Sequence, residues 1–174
     1  MALKNAIKLA TTSHAYVGGT GANSIDDDFN TTQTISFSIG AGSSGSATVR
    51  STHTFSSAIT LHRVIYKLAA AATCEGPYLR SASYTYYIRY RTASGWTNVP
   101  GSYSSGNTDS SGTVSGVSGV VTYDFATSVP GVLEVEAYAY AFSQNSGSGS
   151  GCGDAYIYEV QAFYKVDSSY AGVV

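Results

Sequence analysis

Residues 133–142 alternate without a break. Leu133, Val135, Ala137, Ala139 and Ala141 fall on one side, and Glu134, Glu136, Tyr138, Tyr140 and Phe142 on the other. Successive side chains of a strand point to opposite faces, so this period of two predicts a half-buried β-strand. The same period recurs in residues 34–39, where Ile35, Phe37 and Ile39 share a face, and in residues 120–125. In residues 84–92 it sets Tyr84, Tyr86, Ile88 and Tyr90 against Tyr87, Arg89 and Arg91. Residues 47–55 and 59–68 add two β-branched and apolar runs. Residues 156–166 close the series, with Ile157, Glu159, Gln161, Phe163 and Lys165 opposite Tyr156, Tyr158, Val160, Ala162 and Tyr164. Gly/Ser clusters separate these runs at the short spacing of an all-β protein. Only residues 2–10 read as helix, two weak turns with Leu3, Ile7 and Ala10 on one side. A helix that short is marginal without tertiary support.

The expected fold is therefore all-β: a single antiparallel β-sandwich of jelly-roll type, with about eight strands. At 174 residues one domain is the natural count. It is placed at residues 23–167, behind an N-terminal arm (1–22) and before a C-terminal tail (168–174). The Ser/Gly-rich stretches 40–45, 70–83, 101–119 and 143–153 read as long loops.

Composition narrows the function. Charged residues make up 11% of the chain and the net charge is −2, so it lacks the concentrated positive field that a nucleic-acid binder needs. No stretch approaches the ~18 consecutive apolar residues of a membrane helix, so no membrane insertion is expected. The first residues carry two lysines and no apolar core, unlike a secretory signal. Tyr is abundant, 15 against 6 Phe and 1 Trp, and amphipathic rings of this kind are enriched at interfaces.

Candidate chemistry is sparse. Asp26, Asp27 and Asp28 place three hard oxygen donors in one loop, which suits Ca²⁺; an acidic turn capping its own backbone fits the same residues. Cys74 and Cys152 lie in small-residue stretches. They read either as free thiols or as a bridge between loops, which the chain-entropy model credits with roughly 4.5 kcal/mol. His14, His53 and His62 are isolated, and no nucleophile elbow precedes a helix. Glu134 and Glu136 share a face, as a carboxylate pair for glycoside cleavage would, but with Tyr138 and Tyr140 beside them they read as a polar stripe. No catalytic residue is assigned.

Several motifs in order resemble the galactose-binding-like (discoidin-type) β-sandwich family, found in phage virion proteins and carbohydrate-binding modules. They are Ile25-Asp26-Asp27-Asp28 with Thr31 and Thr32, the strand pair 47–55 and 59–68, and Tyr86-Tyr87-Ile88-Arg89-Tyr90 leading to Trp96-Thr97-Asn98-Val99. Tyr123-Asp124-Phe125 and Ile157-Tyr158-Glu159-Val160 complete the set. The family's usual loop glycine is here Asp27. The resemblance implies a structural Ca²⁺ held by Asp26, Asp28 and Glu159. It also implies ligand contacts on loops at one end, where Tyr78, Trp96 and Tyr103 are the candidates; Tyr138 and Tyr140 are further candidates for partner contact. Two functions follow as expectations. The first is a non-enzymatic virion structural protein, head-decorating or part of a tail or baseplate. It would contact copies of itself and other virion proteins, and it would be assembled in the host cytoplasm. The alternative is the carbohydrate-binding module of a secreted protein, contacting a cell-surface glycan.

Overall fold

A computed structural model describes residues 3–7, 10–16, 32–77 and 80–165, with only the backbone for 12–16. Ten strands follow in chain order: β1 (Leu3–Asn5), β2 (Thr11–Tyr16), β3 (Gln33–Ile39), β4 (Ser44–Glu75), β5 (Arg80–Thr92), β6 (Gly95–Asn98), β7 (Ser104–Thr108), β8 (Gly112–Val117), β9 (Val121–Asn145) and β10 (Ser150–Lys165). Every pairing is antiparallel, and all ten strands belong to one hydrogen-bonded sheet. Among the described residues there is no α-helix.

The sheet doubles over because β4 and β9 are long enough to serve both layers. In one layer β4 runs beside β2 and β9 over residues 49–54, and β9 in turn pairs with β5. In the other, residues 61–75 of β4 run beside β10, with β8 covering the far side of residues 69–74. The β4–β9 register slips three times between Thr54 and Arg63. Irregularities of this kind bend a strand and increase its twist, which is how one strand passes between layers.

The inner faces carry the expected alternation except at the start of the 133–142 run, where Val132 is buried in place of the half-buried Leu133. Val135, Ala137, Ala139 and Ala141 of β9 are buried, as are Ala82, Tyr86, Ile88 and Tyr90 of β5. Across the core lie Val64, Tyr66, Leu68, Ala70 and Ala72 of β4 with Ala155 and Ile157 of β10. Many of these side chains are small, so the layers approach closely at one end. There the Ser143 hydroxyl of one layer donates to the Thr73 carbonyl of the other at 2.8 Å. Side chains in such a close-packed interior leave little room for added volume.

Four expectations change. The runs 47–55 and 59–68 are one strand, since the exposed Ser56-Ser57-Ala58 between them stays extended through the bend. The stretches read as loops at 70–83 and 101–119 contain the end of β4, the start of β5, and β7 and β8. Their Ala, Gly and Ser residues have weak strand preference, but Gly106 and Gly116 lie against the Tyr84 ring where a larger residue would not fit. The period of β10 breaks at a bulge between Ile157 and Glu159, so Val160 and Ala162 turn inward with Ile157 instead of opposing it. Within residues 2–10, in place of the two expected helical turns, Leu3–Asn5 form strand β1 on β10 and Ala6 and Ile7 are buried in the core; with Thr11–Tyr16 paired to β4, the described part of the segment read as an arm contributes to the sheet.

A Cβ on Gly153 would lie 2.6 Å from the Phe37 ring and 2.9 Å from the Ala71 carbonyl oxygen, whereas Gly40 has open space. Gly153→Ala is therefore expected to cost about 1–3 kcal/mol through overpacking. Gly40→Ala should stay within about 0.5 kcal/mol, as a surface change does. Urea denaturation of both variants checks this.

Candidate functional site

Alternation turns one set of side chains outward on the layer made by β4, β9, β5 and β6. Register then sorts them into rows: Arg50–Tyr138–Tyr87, Thr52–Glu136–Arg89 and Thr54–Glu134–Arg91, with Trp96 opposite Arg91. In the middle row the Arg89 guanidinium donates to Glu136 Oε1 at 2.8 and 2.7 Å. The Thr52 hydroxyl donates to Oε2 of the same carboxylate at 3.2 Å. The Glu136 side chain is only 4% exposed, so these charge-assisted bonds replace its water. In the next row Arg91 Nε donates to Glu134 Oε2 at 2.7 Å, and the Thr54 hydroxyl to Oε1 at 3.3 Å. The bond from Arg91 holds the Glu134 carboxyl below its usual range. A carboxylate depressed in this way stabilises the fold above its unfolded pKa, and that contribution fades as pH falls through its folded titration.

The rings continue the same face. Tyr87 and Tyr138 stack at 4.8 Å with 16° between planes, and Tyr138 and Tyr140 at 6.5 Å with 14°. Arg50 lies 5.2 Å from the Tyr138 centroid. Arg89 lies 5.2 Å from that of Tyr87 and 4.4 Å from that of Trp96. Burial pushes the phenols of Tyr87, Tyr138 and Tyr140 upward, so they stay protonated and can donate.

A groove of about 460 Å³ opens where β5 begins and β9 ends. Arg80, Ser81, Asp109, Gln144 and Ser146 line it, and Ser81 and Gln144 are direct cross-strand partners. Asp109 comes from the turn between β7 and β8. The groove thus gathers a guanidinium, a carboxylate, an amide and two hydroxyls.

The expected site residues do not form one cluster. Tyr138 and Tyr140 are on the ring face. Trp96, 37% exposed, is opposite Arg91 near the far end of β5. Eleven strand positions separate Arg91 from Arg80, about 36 Å at the usual rise, so Trp96 is remote from the groove. Tyr103 is 56% exposed just before β7. Tyr78, Asp26 and Asp28 lie outside the described residues, while Glu159 is buried in β10. Among the described residues no three His, Cys, Asp or Glu side chains converge as metal ligands.

The sequence reading missed Arg50, Asp109, Gln144 and the Arg89–Glu136 pair. Alternation placed Glu136 outward in a polar stripe, but its burial comes from neighbours on two other strands. Ser51 and His53 do meet, hydroxyl to Nε2 at 3.2 Å, but both are fully buried and out of reach of a substrate.

Of the two readings of Cys74 and Cys152, free thiols and a bridge between loops, the structure has free thiols. Cys74 pairs with Gly151, so Cys152 is one position out of step and points to the opposite face. Cys74 is buried and Cys152 exposed. A thiol reagent should label one cysteine in the native protein and two in denaturant, and reductant should leave the melting temperature unchanged. The two arginine rows should also separate. Arg89→Ala strands a buried carboxylate and is expected to cost about 3–5 kcal/mol. Arg91→Ala, at a more exposed pair, should cost under about 1 kcal/mol. Denaturant midpoints of the two variants measure the difference.

No family model matches the chain, and no curated protein matches it. Solved structures with partial likeness include the family 32 CBM from C. perfringens NanJ in complex with galactose, at 14% identity and TM-score 0.42, covering 93% of this chain and 99% of that one. Another is the lectin binding domain of Lectinolysin complexed with Lewis b, at 8% identity and TM-score 0.40, covering 90% and 93%. A third is truncated AlyQ with CBM32 and alginate lyase domains, at 16% identity and TM-score 0.40; the match covers 94% of this chain and 34% of that one.

Proposed function

We propose that the chain is a non-catalytic glycan-binding module whose groove receives neutral sugar hydroxyls. The groove lined by Arg80, Ser81, Asp109, Gln144 and Ser146 carries this reading. Its volume falls in the range of small-ligand sites. A sugar presents adjacent hydroxyls that each donate and accept. Asp109 can accept two such bonds, Arg80 can donate, and Gln144 can do both. The carboxylates of Glu134 and Glu136 each accept from an arginine, which favours binding over glycoside cleavage. The Tyr-rich strands that motivated a virion-coat reading direct many of their rings inward. Tyr66, Tyr86 and Tyr90 are core residues, and Tyr87 and Tyr138 stack on each other. The glycan-binding reading is therefore preferred.

Titration calorimetry with galactose and a panel of neutral oligosaccharides tests the proposal. At least one should bind, and Asp109→Ala and Gln144→Ala should weaken it tenfold or more with the melting temperature unchanged, since both residues are exposed. No binding across the panel, or full affinity in both variants, would overturn it.

A further inference from the structure

Among the described residues, three arginines and two carboxylates occupy the ring face, and their pairing is unequal. Arg89 and Arg91 each hold one carboxylate at hydrogen-bond distance. Arg50 approaches Glu136 only to 3.8 Å, beyond a hydrogen bond, and the oxygen it faces already accepts from Thr52. Its described residues therefore carry one surplus positive charge, on a chain whose net charge is −2. That charge is accessible: the Arg50 side chain is 42% exposed. It is also held in place, with Tyr138 under the guanidinium and β9 register fixing Tyr138 beside it. Its Nε is buried towards Glu136 and the guanidinium also bonds the Tyr87 phenol, so it is held rigidly while its exposed end presents the remaining N–H groups to a carboxylate. The surroundings are neutral hydrogen-bonding edges: the Tyr87, Tyr138 and Tyr140 phenols, with Thr48 and Thr52 on the same strand face. One cation among phenol and threonine hydroxyls matches a ligand with one carboxylate among many hydroxyls.

We propose that this face is a second binding site, distinct from the groove, for a carboxylate-bearing sugar such as a uronate, with Arg50 as its anion anchor. The choice of a sugar over another carboxylate rests on the glycan-binding reading; the anchor itself rests on the charge arrangement. Tyr138 already has Tyr87, Tyr140 and Arg50 against it, so this site offers polar edges and charge, not an open ring for face-on stacking.

Calorimetry with tetragalacturonate, and with tetragalactose as its uncharged counterpart, tests the proposal. The acidic oligomer should bind at least tenfold more tightly than the neutral one, and added salt should weaken it. Arg50→Gln should remove that preference, and Arg50→Lys should restore it only in part, because an ammonium lacks the fork. Both variants should melt like the parent chain. Asp109→Ala should leave the preference intact, which separates this site from the groove. If only the acidic oligomer binds and Asp109→Ala has no effect, the groove reading fails and this one stands. Equal affinity for the two oligomers, or a preference that survives Arg50→Gln, overturns it.

Discussion

The pairing of β4 with β9 is the constraint on which the rest depends. It runs from Ser44 against Gln144 to Tyr66 against Val121, and both strands bend together where the register slips. The two strands cross between layers as a pair, and between Thr54 and Arg63 the Ile59–Val132 and Leu61–Val129 pairings keep them together through the bend. An edge exposed at that point would leave backbone groups unpaired, at a cost comparable to lost hydrogen bonds. β5 on one side and β10 on the other then extend a template that already has its twofold shape.

Small residues decide how closely the layers meet. Ala70, Ala72, Ala139, Ala141 and Ala155 are buried at positions where most sandwiches place larger aliphatics, and Gly151 and Gly153 lie against Ser143, Ile39 and Phe37. Burying so little apolar area per residue gives modest hydrophobic stabilisation. The close approach offsets this with dispersion contacts and with inter-layer hydrogen bonds such as that from Ser143 to Thr73. Aromatic rings fill the opposite end, where Tyr90 meets Phe125 edge-on at 5.8 Å and Phe125 meets Tyr123 at 4.9 Å.

The outward face shows how a buried ion pair can organise a surface. Glu136 is shielded by the rings and by Arg89, and such a pair contributes geometry more reliably than net stability. Fixing Arg89 places its guanidinium between Tyr87 and Trp96, while Arg50 is left half exposed beside Tyr138. Most of the charged character of the face therefore follows from one carboxylate.

The sequence by itself determined that the chain is all-β and which side chains of β5, and of β9 from Val135 onward, face the core. Those conclusions need only the period of two, which is local: Ile88 and Val135 turn inward whatever pairs beside them. Local pattern could not show that Ala69 to Cys74 and Gly112 to Val117 are strands, because Ala, Gly and Ser form strands mainly where tertiary packing requires small residues. Nor could it foresee the β10 bulge, which reverses the facing of Val160 and Ala162. The free state of the cysteines depended on a one-position offset between β4 and β10. Tyr138 and Tyr140 were legible as outward aromatics, but their arginine neighbours and the groove were not. Arg50 and Glu136 are 86 residues apart in the chain, and Ser81 and Asp109 come from different strands and turns. Only cross-strand register brings them together, and register is a property of the assembled sheet.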